Sequence, residues 1–331
     1  GQLSLATQNL DRLKHSVPGA ELSQAKQALA QGDTTTADEL LERAHGAGLE
    51  QTAEAAFQRG ELAYTRIDYA KAHEYYSEAA RLRPDNSHYL TKLGEILYEL
   101  GRHSQALPWL QEALAIRKKV FGPTHLKVAE SLNDVAGVLC AQGNYAEAEP
   151  LYQESIAMRK KLLGPAHPEV AATLNNLSEK CREVGEFERA EPLYLEALAI
   201  YEKAHGREHR DVASVLNNLG MLYHAQGLLS KAEPLYREAL AIDTKVLPKS
   251  HPDIATDYNS LGVLHFAQEK RAKAEEMHLR ALAIRKQSLP PAHPDIAISL
   301  YNLGRVYEAE GRLAKAEPLF RQAVTIFEQS L

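Results

Sequence analysis

The chain has 331 residues, of which 44% are hydrophobic and 25% are charged, so it carries enough apolar surface to fold and is not a disordered tail. Its formal net charge of −6 argues against a protein that tracks nucleic acid, because phosphate neutralisation normally requires a surplus of Lys and Arg. The length suggests two or so globular domains, unless internal repeats replace a single core.

Two cysteines, Cys140 and Cys181, stand alone rather than in a Cys-x-x-Cys pair. We interpret them as small apolar helix residues rather than a redox pair, and lone thiols indicate a reducing, cytoplasmic location. No apolar run approaches the ~20 residues that span a bilayer, and no secretory signal opens the chain. The first residue is Gly1 rather than Met, which indicates a processed end, a tag remnant or a piece of a longer protein.

The first 52 residues are the least regular part of the chain. The spacing of four leucines partly fits one face of a short helix, at Leu3, Leu5, Leu10 and Leu13. The next residues weakly match the repeat pattern that begins near residue 53. Gly32, Ala37 and Ala44 precede Ile67, Ala72 and Ala79 by ~35 residues, about one helix pair. We therefore predict a degenerate repeat over 18–52 that caps an array, because terminal repeats are usually atypical.

From residue 53 onward the chain repeats itself. The segments that start at His167 and His209 align without gaps, and loop histidines recur every ~42 residues, a repeat-protein period, at His125, His167, His209, His251 and His293. A small residue recurs in the middle of the first helix of each unit, at Gly60, Gly94, Ala136, Ser178, Gly220, Gly262 and Gly304. Further along each unit stand an alanine (Ala72, Ala106, Ala148, Ala190, Ala232, Ala274 and Ala316) and then a large residue (Tyr76, Leu110, Tyr152, Tyr194, Tyr236, His278 and Phe320). Small side chains permit close approach, so we predict that the two helices of each unit cross here.

Turn and cap residues fall between these positions. Left-handed turns after the first helix are predicted at Gly101, Gly143, Gly185, Gly227 and Gly311. Pro168, Pro252 and Pro294 should be the first residues of helices, where a missing N–H costs nothing. The prolines Pro108, Pro150, Pro192, Pro234 and Pro318 should lie near the start of the second helix, before its hydrogen bonds are fully engaged.

This frame resembles the tetratricopeptide repeat. The longer period, with LNNL, AEPLY, ALAI and the Gly-Pro-x-His-Pro linker, is similar to the kinesin light chain-like subtype, from about Thr52 to Leu331. The resemblance implies an all-α fold, a right-handed superhelical solenoid of antiparallel helix pairs. The predicted boundaries are 1–52 for the N-terminal helices with the capping repeat, then 53–86, 87–128, 129–170, 171–212, 213–254, 255–296 and 297–331 for repeats one to seven.

The sixth repeat and the C-terminal end depart from the pattern. Gln268 to His278 lacks the turn glycine, the proline and the tyrosine, and carries Lys270, Arg271 and Lys273. This basic cluster is either a contact point or a solvated turn. After Phe320 and Ile326 no polar capping helix follows, so we expect a longer natural chain, a partner or self-association at this end.

We expect no enzyme, no metal site and no cofactor. The five loop histidines are each one repeat apart and cannot meet within the ~2 Å ligand distance of one ion, so hydrogen bonding in the loop or cap is the better interpretation. The sequence contains no Walker-type loop, no Gly-x-Ser-x-Gly elbow and no Cys/His nucleophile pair.

The first helices of such an array line a concave groove, and this resemblance places the binding site there. The predicted groove residues are Asn133, Asn175, Asn217, Asn259, Glu179, Arg182, Glu183, Met221, His224, Phe266, Tyr301 and Arg305. A row of carboxamides can pair with an extended peptide backbone through both donor and acceptor. The alternative is that these asparagines are consensus residues that bond within the array.

The groove departs from that of kinesin light chains, which favour acidic peptides and carry basic residues. Here carboxylates such as Glu179 and Glu183 outnumber Arg182 and Arg305, so an acidic ligand would meet like charge. We predict a neutral or basic peptide or protein partner, anchored by apolar side chains, with no nucleic acid and no membrane span.

Two functions remain open from the sequence. One is a free-standing adaptor that holds one protein against another. The other is a sensor or regulatory array cut from a larger signalling or defence protein. RNA binding by helical repeats is a weaker third hypothesis, because the chain lacks a basic surplus.

Overall fold

The computed structural model describes residues 19–43 and 49–330, which form sixteen α-helices and no β-strand. They divide into two compact units, Gly1–Asn144 and Tyr145–Leu331, each described here by itself. The helix predicted around Leu3 to Leu13 lies outside the described residues, as does Ala44. No helix in the described ranges combines the length and the apolar character that crossing a bilayer requires.

The helices follow one another in pairs joined by short turns. Unit 1 contains α1 (Gly19–Ala30), α2 (Thr34–Arg43), α3 (Leu49–Thr65), α4 (Tyr69–Leu82), α5 (Ser87–Glu99), α6 (His103–Phe121) and α7 (Leu126–Ala141). Unit 2 contains α8 (Tyr145–Leu163), α9 (Pro168–Glu183), α10 (Phe187–His205), α11 (Arg210–Ala225), α12 (Leu229–Val246), α13 (Pro252–Ala267), α14 (Arg271–Ser288), α15 (Pro294–Ala309) and α16 (Leu313–Ser330). The predicted all-α fold of helix pairs is confirmed within each unit.

Close approach of the two helices in a pair depends on the mid-helix glycines. A Cβ atom built on Gly220 would lie 2.7 Å from the ring of Tyr236 on the next helix, and Ala232 beside it is fully buried. The other mid-helix glycines meet the same large residue of their own repeats, in the pairs Gly60–Tyr76, Gly94–Leu110, Gly262–His278 and Gly304–Phe320. The predicted crossing points are therefore confirmed in these five repeats.

The loop histidines cap the first helix of five pairs. His251 precedes α13 in an extended conformation, and its Nδ1 accepts the backbone N–H of Asp253 at 3.2 Å. The same bond recurs at His125, His167, His209 and His293. An acceptor at this position satisfies one of the four N–H groups that a helix start leaves unpaired. The cap interpretation of these histidines is confirmed.

The turn inside each pair requires a left-handed residue. Gly227 and its four predicted equivalents have positive φ values, as does Gly32 between α1 and α2. In the sixth repeat Glu269 occupies this position with φ 61°, and in the first repeat Ile67 does so with φ 59°. A side chain in this conformation costs roughly 1–2 kcal/mol, so these two turns are strained.

The helix-B prolines lie deeper than the sequence predicts. Pro234 is inside α12, which begins at Leu229, and is therefore past the first turn. A residue there would normally donate to a carbonyl four residues earlier, so the proline removes one hydrogen bond from the helix. The prediction that these prolines lie before the hydrogen bonds of the second helix are fully formed is therefore wrong by about one helical turn.

Candidate functional site

In unit 2 the first helices of four consecutive pairs, α9, α11, α13 and α15, contact one another in sequence order. We call the surface around Asn175, Asn217, Asn259 and Tyr301, which occupy one register of these helices, the A-helix face. Carboxamides connect neighbouring helices on it. Asn218 Nδ2 donates to Asn175 Oδ1 at 3.1 Å, and Asn302 Nδ2 donates to Asn259 Oδ1 at 2.9 Å. The A-helix face is thus polar and continuous through the four repeats.

Asn217 differs from the asparagines on either side of it. It is only 6% exposed, its Nδ2 donates to Asp257 Oδ1 at 2.6 Å, and its Oδ1 accepts from Ser260 Oγ at 3.0 Å. Both ends of this amide therefore have partners in the array, as the consensus interpretation predicts. A ligand contact by Asn217 stays a prediction.

In unit 1 the equivalent Asn133 is half-buried on α7. Its Nδ2 donates to Asp134 Oδ1 at 3.4 Å. Its role as a groove residue likewise stays a prediction.

The charged groove residues of α9 form one cluster. Arg182 Nη2 lies 3.7 Å from Glu179 Oε1 and 3.9 Å from Glu183 Oε1. Partial burial raises the pKa of Glu179, while the guanidinium of Arg182 lowers it. Because one arginine serves both carboxylates, the cluster has less negative charge than two unpaired glutamates would have.

Several predicted anchors meet on α13 and α15. The guanidinium of Arg305 lies 5.0 Å from the ring centroid of Phe266, within cation–π range. Tyr301 is 48% exposed, and its ring centroid is 5.7 Å from that of Phe320. The structure therefore brings Phe266 and Arg305 together and leaves Tyr301 accessible.

The two anchors on α11 are more enclosed. Met221 packs against the buried cluster that contains Tyr236 and Leu261. Burial lowers the pKa of His224, which favours its neutral form. Both residues are half-buried and so present only part of their surface to a ligand.

An acidic cavity on the A-helix face was missed by the sequence reasoning. It has a volume of about 270 Å³ and lies between α11 and the α12–α13 junction. Its lining consists of Arg210, Asp211, Ser214, Asn217, Asn218, Met221, Asp243, Asp253, Thr256 and Asp257. Two of the four aspartates are almost inaccessible, with Asp243 4% and Asp257 2% exposed.

The two buried aspartates stand where other repeats carry a buried arginine and a hydroxyl. At the α14–α15 junction, Arg285 Nη1 donates to Ser299 Oγ and to the carbonyl oxygen of Asp295, both at 2.9 Å. The same bonds join Arg117 to Ser131 and Lys127 in unit 1, and Arg159 to Thr173 and Glu169 in unit 2. Asp243 occupies the register of Arg285, and Asp257 that of Ser299. A comparison of repeat columns would have found this exchange in the sequence.

The environment holds both carboxyl groups toward their neutral forms. Burial, followed by the negative charge of Asp243, raises the pKa of Asp257 to about 8, while the hydrogen bond from Asn217 acts in the opposite direction. Burial and the charge of Asp253 raise the pKa of Asp243 to about 6. At the rim, Arg210 Nη2 donates to Asp253 Oδ2 at 2.9 Å.

One group of possible metal ligands was also missed. Within the described residues, His205, His209 and Asp211 place one ligand atom each within 4.8 Å of one another. Other contacts engage this group, since the two imidazoles stack at 4.3 Å and His209 Nδ1 accepts the backbone N–H of Asp211. His205, at the end of α10, is not one of the evenly spaced loop histidines, so their spacing does not exclude this group.

The basic cluster of the sixth repeat is partly used inside the fold. Arg271 Nη1 donates to the carbonyl oxygen of Phe266 at 2.9 Å, and its guanidinium lies 4.4 Å from the Phe266 ring. Lys273 lines a second cavity of about 450 Å³ on the B-helix side. The choice between a contact point and a solvated turn stays open for this residue.

Comparison with known proteins places these observations in a family. The tetratricopeptide-repeat family model matches residues 86–161, 128–203, 181–245, 211–287 and 253–329. A search of the curated proteins finds no match.

Three solved structures illustrate the similarity. BtubC (BKLC) from P. vanneervenii is 26% identical, with 70% of this chain and 91% of that chain covered at a TM-score of 0.54. A kinesin light chain with nearly identical TPR-like repeats from Podosopora anserina is 26% identical, with 62% and 98% covered at a TM-score of 0.50. The Rap conjugation gene regulator of the plasmid pLS20, in complex with the Phr* peptide, shares the fold at 15% identity, with 99% and 95% covered at a TM-score of 0.65. The predicted resemblance to tetratricopeptide repeats of the kinesin light chain-like subtype is confirmed.

Proposed function

Because the chain belongs to the tetratricopeptide-repeat family, we propose that it is an interaction protein that binds a peptide or an extended protein segment on the A-helix face of unit 2. The task is recognition rather than catalysis. Binding of this kind serves a free-standing adaptor and a regulatory array within a longer protein equally well. The burial of the thiols of Cys140 and Cys181 supports a reducing, cytoplasmic location.

The main observation behind this proposal is the row of asparagine carboxamides on the A-helix face, which we call the carboxamide row and which includes Asn175 and Asn259. In the part of the chain that the structure describes, the Nδ2 groups of Asn175 and Asn259 donate to no protein acceptor, while their oxygens are held by the next repeat. A carboxamide fixed through its oxygen presents its N–H groups in a set direction. Two such donors, two repeats apart, suit the backbone carbonyls of an extended chain and do not depend on its side chains.

Neighbouring side chains support the same surface. Tyr301 offers an exposed ring, and Arg305 offers a guanidinium beside the Phe266 ring. Tyrosine and arginine are residue types that are enriched at binding hot spots. A protein with this fold, the Rap conjugation gene regulator of the plasmid pLS20, has been solved in complex with the Phr* peptide. We propose a neutral or basic partner here, because the acidic cavity and the Glu179–Glu183 cluster border the row.

A display selection tests the proposal. A random dodecapeptide phage library is selected on the full chain, and the enriched peptides are measured by fluorescence polarisation on the parent and on the double variant Asn175→Ala, Asn259→Ala. Loss of two hydrogen bonds at about 0.5–1.5 kcal/mol each predicts binding that is weaker by roughly 5- to 150-fold.

Gln287→Ala is the matched control, since it removes an exposed carboxamide from the B helix α14. The control should bind as the parent does. Failure to enrich any peptide, or equal affinities for the parent and the double variant, would contradict the proposal.

The Glu179–Arg182–Glu183 cluster gives a separate check on partner charge. Reversal of both glutamates to lysine should weaken binding of a basic peptide and leave the far-ultraviolet circular dichroism spectrum unchanged. An unchanged affinity for basic peptides would remove this cluster from the charge argument without affecting the carboxamide row.

A further inference from the structure

The α12–α13 junction is built from the same backbone as its neighbours but lacks their cation. At three other junctions a guanidinium from the chain itself fills the space between a B helix and the next A helix, as Arg285 does beside Ser299. At the junction of α10 with α11 the same positions hold Tyr201 and Val215, an apolar closure. Only Asp243 and Asp257, among these described junction pairs, bring two carboxyl groups together.

The carboxyl groups of Asp243 and Asp257 can hydrogen-bond to each other when one of them holds a proton. Asp243 Oδ1 and Asp257 Oδ2 are buried and accept no hydrogen bond from any other described residue, although Asn217 donates to the other oxygen of Asp257. Both residues line the 270 Å³ cavity, which opens on the A-helix face. Ionising both carboxyl groups of this buried pair is costly without a cation beside them, so a cationic donor that enters from the cavity would stabilise the ionised pair.

We propose that this cavity binds the guanidinium group of an arginine side chain in the peptide ligand. The ligand then supplies the cation that three other junctions draw from their own sequence. This inference rests on the peptide-binding function proposed above and adds to it the chemistry of one side chain.

Guanidinium fits the cavity better than ammonium does. The planar fork carries five N–H donors, matches carboxylates in a bidentate manner and loses less hydration than an ammonium on entering a confined site. The array itself places guanidinium, never ammonium, at the equivalent Arg117, Arg159 and Arg285. Arg210 does not fill the role, because it is paired with Asp253 at the exposed rim.

The selectivity follows from the same contacts. An anionic ligand side chain would face four aspartates at the wall, and an apolar one would leave the buried carboxyl pair without a cation. Peptides with arginine should therefore bind roughly 10–100-fold more tightly than those with norleucine at that position. Lysine should fall between the two.

A variant that restores the consensus junction tests the proposal. Asp243→Arg with Asp257→Ser recreates the arginine–hydroxyl bond of the α14–α15 junction and closes the cavity with a guanidinium of the chain. Because three junctions already fold with this pair, the variant should fold. A control with the same charge change on exposed B-helix positions, Glu154→Ser with Glu328→Arg, separates cavity effects from net charge.

The parent, the junction variant and the charge control are each used to select a random dodecapeptide phage library. We expect arginine to be enriched at one peptide position on the parent and on the control, and to lose that enrichment on the junction variant while other positions keep theirs. Two results would overturn the cavity assignment and leave peptide binding standing. The peptides selected on the parent could show no arginine preference, or the junction variant could keep that preference.

A second experiment tests guanidinium binding in the cavity directly, even if no peptide is selected. Titration of the parent with L-argininamide is followed through the NMR signal of the Asn217 side-chain amide, with the junction variant as reference. A saturable shift confined to the parent would support the guanidinium site even as the peptide-binding function fails. Absence of such a shift would overturn the proposal.

Discussion

Replacement of Asp257 by asparagine should change how stability depends on pH. In the folded chain the pKa of Asp257 is raised to about 8 from a reference value of 3.8, so the folded state binds its proton more tightly than the unfolded chain does. The stability that this proton contributes is complete below 3.8 and is lost as the pH rises toward 8. The carboxamide in Asp257→Asn would keep the oxygen that accepts from Asn217 and would have no charge to bury.

The size of the effect follows from the shift. Between pH 5 and pH 7 the unfolded carboxyl is already ionised, so the parent loses about 1.4 kcal/mol for each pH unit that this group controls, or roughly 2–3 kcal/mol in all. The other charged groups that line the cavity are Asp243 on α12, Asp253 on α13, and Arg210 and Asp211 on α11. Asp243 remains in the variant, so the slope should decrease rather than vanish.

Urea unfolding at pH 5, 6, 7 and 8, followed by far-ultraviolet circular dichroism, measures this slope. The parent should lose stability relative to Asp257→Asn as the pH rises, and the exposed-site control Glu154→Gln should follow the parent. Parallel profiles for the parent and Asp257→Asn would show that no buried proton is held at this junction.

Three further predictions concern the repeat frame, each read from the urea midpoint. Glu269→Gly should stabilise the chain by about 1 kcal/mol, because it relieves a left-handed side chain; a lower midpoint would refute the strain. Gly220→Val should destabilise by about 1–3 kcal/mol, since its Cβ would lie within 3 Å of the Tyr236 ring; a parental midpoint would refute the crossing. His251→Ala should cost about 1 kcal/mol through loss of the acceptor for the Asp253 N–H, and His251→Asn should restore most of it.

The features that the sequence predicts are those that act within one repeat. The contact between Gly220 and Tyr236 and the cap at His251 each depend on residues that a single helix pair brings together, so the period of the repeat is enough to place them. The acidic pair was not predicted because Asp243 and Asp257 belong to successive repeats and meet only when α12 packs on α13. The partners of Asn217 were missed for the same reason, since Asp257 and Ser260 also lie in the next repeat.

Ligand binding and the pH dependence of stability both depend on the protonation equilibrium of Asp243 and Asp257 at this junction. A guanidinium that enters the cavity favours the ionised carboxyls, so it should lower their pKa values and release protons on binding. The stability that the parent loses as the pH rises is then recovered in proportion to RT ln(1 + [L]/Kd), and this recovery should grow between pH 5 and pH 8. The junction variant, Asp243→Arg with Asp257→Ser, contains neither carboxyl, so added L-argininamide should leave its urea midpoint unchanged at every pH. A pH-independent gain in the parent would place the bound cation away from Asp243 and Asp257.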